Sequence, residues 1–306
     1  MTTIRDIAKI TGYSVSTISR VINEFPYVDE EKRQKVLAIM DELNYVPNRL
    51  AQNLSHGETK HVGVVIPFLN ASYYNQLLKG IMSEAFKYTY KVTLLPTNHD
   101  PELEMNYLKE FAQKSFDGLI ISSRSNPTKV FKEYLKYGPI VFCEDIAELP
   151  VASSYIDLEA SLSETMLYLK DLGMKKIGLT LGRSHDISRN SRLAVKLAHE
   201  IFPTFDEKNI FWDCCDAEDG IQAAAFFEKH PVEAIVVNGD DVAANILLHH
   251  KGKKPIVVGR ENLLVSEVLQ FSTVDHHLKE CGETAFRLFH TGSIQQIRHP
   301  HTFIKR

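Results

Sequence analysis

The chain has 306 residues, 44% of them hydrophobic and 24% charged, and a formal net charge of −4. That length and apolar content suit two or three globular domains and exclude a disordered or fibrous chain. No apolar run reaches the ~18 residues of a membrane span, and the amino end carries no apolar signal region, so a cytoplasmic protein is expected.

The segment from Ile4 to Asn23 reads IRDIAKITGYSVSTISRVIN. Ile4, Ile7, Ala8 and Ile10 recur at helical spacing behind a Thr3/Asp6 capping box, and Gly12 supplies a turn. Ser14 is a good N-cap for a second helix. On that helix Ile18, Val21 and Ile22 would face inward, leaving Val15, Ser16, Ser19, Arg20 and Asn23 outward or beside the buried stripe. This is the pattern of a helix-turn-helix whose second helix enters the DNA major groove; an ordinary helical hairpin shares it. A third helix follows, capped by Asp29, with Glu30 and Glu31 at its positive end and a stripe of Val36, Ile39, Met40 and Leu43. Pro47 then opens a short segment ending at Leu54, before a polar linker of residues 55–60.

Through IRDIAKITGYSVSTISRVIN and DEEKRQKVLAIMDELNYVPNRLAQNL, the chain resembles the LacI/GalR family of bacterial transcription regulators. The likeness is specific over the first sixty residues and looser, but continuous, to Arg306. It implies an N-terminal all-α helix-turn-helix DNA-binding domain with a hinge helix. An α/β periplasmic-binding-protein-like effector domain of two Rossmann-like subdomains follows. Residues 1–59 would be the DNA-binding domain, with the motif at 4–23 and the hinge helix at 47–55. By position, Val15 and Ser16 match the family's base-reading pair, and Arg20 and Asn23 match later base and phosphate contacts. The hinge residues Asn48 and Arg49 would lie at the minor groove, with Leu54 inserted as a wedge whose unstacking cost is recovered by added contact.

Residues 1–60 hold eight Lys plus Arg and eight Asp plus Glu, so bulk phosphate attraction is weak for one copy. Binding would rest on helix N-termini and placed hydroxyls (Thr3, Ser14, Ser16, Thr17, Ser19), with Arg20, Arg49 and Lys9 at chosen points. The expected partner is therefore double-stranded DNA at a palindromic operator, met by a homodimer. The chain shows no C-terminal heptad repeat that would favour a tetramer.

From His61 onward, β-rich runs alternate with helical patterns, the signature of helix-covered parallel sheets. Strands are expected at 62–67, 92–96, 118–122, 140–143, 177–181, 234–237 and 256–259. Helices are expected at 75–88, 102–114, 129–137, 161–172, 189–201, 221–229 and 242–250. The resemblance divides residues 60–306 into an N-subdomain (about 60–157 plus 275–291) and a C-subdomain (about 158–271 plus 295–306). It places crossovers near 155–158, 271–275 and 291–297. Ligands in open α/β sheets bind beyond the carboxyl ends of strands, which selects Asn70, Tyr73, Tyr74, Glu144 and Asp240. The resemblance adds Arg192, Glu261 and His276. It also shows departures, since the family's Gly-Phe/Tyr-Asp reads Gly259-Arg260-Glu261 here, so the scaffold is kept while specificity is open. A sugar or sugar phosphate is the expected effector.

Four cysteines, Cys143, Cys214, Cys215 and Cys281, include an adjacent pair and give no disulfide framework. The histidines stand at no metal-ligand spacing with Cys or carboxylates, so neither metal nor cofactor is expected. There is no Walker loop, no Gly-x-Ser-x-Gly elbow and no His-Glu-x-x-His helix, so the chain is not expected to be an enzyme. A solute-binding protein, or a sugar-processing enzyme with an attached DNA-binding head, is the competing reading.

Overall fold

A computed structural model describes residues 2–47, 57–146, 149–183 and 188–306. The hinge-helix reading at 47–55, with Asn48, Arg49 and Leu54, lies outside the described residues save for Pro47. Two compact units meet between Lys60 and His61.

In the first unit three helices, α1 (Ile4–Thr11), α2 (Val15–Ile22) and α3 (Glu30–Glu42), enclose a small core. Ile7, Ile18, Val21 and Val36 are buried at its centre, with Ile39, Met40 and Leu43 packed around them. The Thr3 hydroxyl, and then its amide, donate to the Asp6 carboxylate at 2.7 and 2.9 Å, which closes the capping box and holds the Asp6 carboxyl below its usual range. Gly12 takes φ 76° and its N–H returns to the Ala8 carbonyl, ending α1 in a left-handed cap. One expectation fails. Ile10 is 54% exposed, and Thr11 is buried in its place. At 100° per residue, position 11 falls on the Ile4/Ile7/Ala8 stripe and position 10 lies off it. The buried Thr11 hydroxyl is satisfied by donating to the Ile7 carbonyl at 2.8 Å.

The second unit contains two parallel sheets. In chain order its elements are β1 (His61–Ile66), α4 (Ser72–Lys87), β2 (Lys91–Pro96), α5 (Pro101–Ala112), β3 (Gly118–Ile121), α6 (Thr128–Lys132), β4 (Ile140–Phe142) and β5 (Ala152–Ile156). Then come α7 (Leu158–Asp171), β6 (Ile177–Thr180), α8 (Arg189–Ile201), β7 (Ile210–Phe211), α9 (Asp219–Lys229), β8 (Ala234–Val236), α10 (Asp240–His249) and β9 (Ile256–Val258). The last are α11 (Leu264–Val268), β10 (Thr273–Asp275), α12 (Leu278–Thr291), β11 (Gln296–His299) and β12 (Thr302–Ile304). The first sheet runs β11-β5-β4-β3-β1-β2 and the second β7-β6-β8-β9, with an antiparallel β10/β12 ribbon between the return segments. Strands such as HVGVVI and GLII are buried along nearly their whole length, as a sheet covered on both faces requires.

The lobe boundary differs from the expected one. Gln296–His299, expected with the C-subdomain, pairs in parallel with Ser153–Ile156 in the first sheet. The chain therefore passes to the second lobe between His299 and Thr302, not within 291–297. The cause is packing. Strand β5, ASSYI, is rich in small polar residues, so α12 can lie close over it. Ser154 Oγ donates to the Cys281 carbonyl at 2.8 Å and meets His299 Nε2 at 2.9 Å. The expected helix at 129–137 is also split, into α6 and a 3₁₀ turn at Leu135–Tyr137.

Candidate functional site

The first unit offers the outer face of α2. Ser14 Oγ accepts from the Thr17 amide at 3.1 Å and lies 2.8 Å from Ser16 Oγ and 2.9 Å from Thr17 Oγ1, so its cap is a hydroxyl cluster. Helical phase puts Val15, Ser16, Ser19 and Arg20 on the side away from Ile18 and Val21. Val15 is 43% exposed, Ser16 and Arg20 are exposed, and Ser19 and Thr17 are half-buried. Asn23 is half-buried and donates to Ser19 Oγ at 3.3 Å, which ties it to the helix end. Thr3 stands exposed at the start of α1, with its hydroxyl donating to Asp6 at 2.7 Å. This surface can present small donors, a methyl-bearing contact and one guanidinium to a polyanion.

The second unit offers a cleft of about 380 Å³ between its sheets, opening at the carboxyl ends of β1, β3, β4, β6, β8 and β9. Asn70, Tyr73, Tyr74, Glu144 and Glu261 line it. The two tyrosine rings stand edge to face, 5.1 Å apart at 81°, in the first turn of α4. Burial holds both phenols protonated, with Tyr74 pushed up to about 12. Glu144 is 3.0 Å from Arg124 Nε and accepts from the Arg124 amide at 3.1 Å. Burial raises its carboxyl above the usual range and the guanidinium partly opposes that shift.

Three expected ligand contacts are not on the wall. Asp240 is fully buried; its carboxylate accepts from Thr273 Oγ1 and from the Leu263 amide, both at 2.7 Å, and so fastens β10 to the start of α10. Asp241, one residue on, lines the cleft instead and accepts a hydrogen bond from Ser72 Oγ at the start of α4. Arg192 is exposed and outside the lining, whereas Arg189, in the first turn of α8, lines the cleft. Arg189 reaches the facing lobe, donating to the Asp145 carbonyl at 2.8 Å and its carboxylate at 2.9 Å. His276 is 1% exposed beneath the cleft, where burial drives its imidazole well below the ordinary value and keeps it neutral. Arg183, Asn238 and Arg260, none of them among the expected contacts, also line the cleft. Each directly follows a strand or its short extension, the same signal that selected Glu144.

Among the described residues, contacts that bridge the lobes include Arg189–Asp145, Ser72–Asp241, Asn70 Nδ2 to Asp216 at 3.4 Å, and Gln76 Nε2 to the Glu261 carbonyl at 2.9 Å. The Glu261 carboxyl lies 3.4 Å from the Asp240 amide at the head of α10, and burial, then the neighbouring Asp240, push it up to about 8. A carboxyl raised in the folded state stabilises the fold fully below its ordinary value, and that contribution is lost as pH rises through about 8. Glu261→Gln, which keeps an acceptor for the Asp240 amide, is therefore expected to flatten the fall in stability between about pH 5 and pH 9, by on the order of a few kcal/mol. Denaturant melts across that range check this; parallel curves for variant and wild type would contradict it.

Comparison with known proteins follows the same division. Residues 3–48 match the family described as bacterial regulatory proteins, lacI family, and residues 59–299 match periplasmic binding proteins and sugar binding domain of LacI family. The chain belongs to the LacI family. Catabolite control protein B of Bacillus subtilis (strain 168) is 36% identical over 310 residues, covering 100% of both chains. A LacI-family transcriptional regulator from Silicibacter pomeroyi has the same fold, with a TM-score of 0.81 at 22% identity over 100% of both chains. The lac repressor dimer, bound to operator and the anti-inducer ONPF, superposes with a TM-score of 0.78 at 22% identity, covering 100% of this chain and 98% of its own. The relatives are transcriptional regulators, not enzymes. Among the described residues no helix is long and apolar enough to cross a membrane, and no group of His, Cys, Asp or Glu is arranged to hold a metal ion.

Proposed function

We propose that this LacI-family regulator is a sequence-specific repressor of carbohydrate-metabolism genes. Residues 1–59 bind a palindromic operator as part of a homodimer, and a sugar or sugar derivative in the cleft of residues 60–306 sets the operator affinity. The observation that carries the DNA half is the capped, solvent-facing row of Val15, Ser16 and Arg20 on α2. Thr3, Ser14, Thr17, Ser19 and Asn23 flank it for phosphate contacts, and Asn48, Arg49 and Leu54 complete the site at the minor groove. The family match over both units and the operator-bound dimer of the lac repressor support this reading. Met82 (53% exposed) and Phe86 (85%), one turn apart on α4, lie near Leu94 (36%) of the edge strand β2 in sequence order and topology. They give a second copy apolar surface to cover.

The cleft half works by population shift. The bridging contacts, Arg189–Asp145 and Ser72–Asp241 among them, set the angle between lobes, and a ligand that displaces or reinforces them favours one angle. Operator affinity then changes only by the ligand's differential binding to the two states. Asn70, Tyr73, Tyr74, Glu144 and Glu261 form the ligand wall in this proposal, joined by Asp241 and Arg189.

Arg20→Ala is expected to lower operator affinity and relax discrimination at one base position by ~1–3 kcal/mol, with the fold unchanged. Binding measured against a set of singly substituted operators checks this, and an unaltered base preference would remove Arg20 from the groove.

A further inference from the structure

Among the described residues the cleft is lined by five arginines, and three of them are matched to carboxylates. Arg124 faces Glu144 at 3.0 Å, Arg189 faces Asp145 at 2.9 Å, and Arg298 faces Asp157 at 3.3 Å. Arg260 is different. It follows Gly259 at the end of β9, where the backbone has no room for a side chain: a Cβ on Gly259 would stand 2.0 Å from Asp240 Oδ1. The backbone is therefore fixed at that point, and the Arg260 side chain lies on the cleft wall. Its Nε is buried and donates to no described group. Its charge is felt by Tyr73, Glu261 and His276, so it sits where the tyrosine pair, the second lobe and the return segment converge.

None of those neighbours neutralises it. His276 is neutral through burial, and Glu261, its immediate neighbour, is pushed up to about 8 and so holds its proton near neutrality. Asp240 is already committed to Thr273 and Leu263, Asp241 to Ser72, and Asp216 to Asn70 and to the Glu218 and Asp219 amides. Arg183 lies on the same wall, close enough to Tyr74, Glu144 and His99 to act on all three. Burial, and then the Arg183 charge, bring His99 down to about 4, so that ring adds no charge. A buried, unsatisfied guanidinium donor is costly until an acceptor reaches it, and a planar fork is best met by an oxyanion in two parallel hydrogen bonds.

We infer that the effector is an anionic polyol, a hydroxylated carbon frame carrying one phosphate or carboxylate, and that Arg260 receives the oxyanion. Tyr73 and Tyr74 pack against the frame. Arg183 contributes charge from the other end of the wall. This rests on the reading of the cleft as the effector site.

The test is calorimetric titration of the full chain at neutral pH with glucose, ribose, glucose 6-phosphate, ribose 5-phosphate and gluconate, with inorganic phosphate as the ionic control. At least one phosphorylated or carboxylated probe is expected to bind about tenfold or more tighter than its neutral parent. A phosphate-bearing winner and a gluconate winner separate the two anion sources, and each supports the inference. Arg260→Ala is expected to lose that preference, bringing anionic and neutral probes within about twofold of each other, and Arg260→Lys to recover part of it. The melting temperature of the unliganded Arg260→Ala chain should not fall, because Nε has no partner to lose; a variant that binds neutral probes as before rules out misfolding. A neutral sugar that binds as tightly as its phosphate ester, or anion binding that survives Arg260→Ala, overturns the inference and leaves the effector cleft standing. Absence of binding by every probe overturns the inference and the cleft reading together.

Discussion

Gly282→Ala is expected to destabilise the chain by about 3 kcal/mol, although alanine favours a helix over glycine by about 1 kcal/mol. The reason is the crossing of α4 and α12. A Cβ on Gly282 would stand 2.0 Å from the Leu77 carbonyl oxygen and 3.0 Å from the Ile81 amide. A Cβ on Gly80 would stand 1.9 Å from the Lys279 carbonyl oxygen. Both obstacles are backbone, so neither can rotate aside, and the helices must separate. Between them they cover the core of Val62, Leu77, Ile81, Cys281, Ala285 and Phe286, so separation opens the first lobe throughout. Gly80→Ala should behave alike, and urea melts decide the matter by sign. A gain in stability from either change would mean that the helices do not meet backbone to backbone.

The second large effect is expected at Asp240. Asp240→Ala removes the acceptor for Thr273 Oγ1 and for the Leu263 amide, leaving a buried donor unpaired at ~1–3 kcal/mol and a part-buried one at less. Asp240→Asn keeps one acceptor oxygen and should lose roughly half as much. A direct contact to ligand would instead weaken effector binding with little change in the unliganded melt. The two measurements together distinguish a fastening role for Asp240 from the ligand role that sequence position suggested.

That contrast shows where sequence stops being sufficient. The first forty-five residues were legible because their signals are local: Thr3 with Asp6, Ser14 and Asp29 cap the three helices, and the buried stripes follow helical phase. Apolar parallel strands such as β1 and β3 were equally plain. β5, β11 and β12 were not, because ASSYI, QIRH and TFI carry little apolar pattern. Ser154 is buried only because Cys281 and His299 satisfy it from far along the chain. In the cleft, strand-end position found Asn70, Tyr73, Tyr74, Glu144 and Glu261, but it could not resolve helical phase. Asp240 and Asp241 differ by 100° around α10, so one faces the core and the other the cleft. Arg189 and Arg192 share one side of α8, about 60° apart, and it is Arg189, in the first turn, that reaches Asp145 across the cleft. Arg260 stood in plain view as a departure from the family pattern. What makes it a site residue is the burial of its Nε without an acceptor, a tertiary fact.

The most direct trial of the account is selection of binding sites from a random DNA library by the full chain, with and without the carbohydrate probes named above. Enrichment of a two-fold symmetric sequence is expected, with base preferences that change on substitution of Val15, Ser16 or Arg20 and an affinity that responds to at least one probe. Recovery of sequences no different from the starting library, with every probe tried, would contradict it.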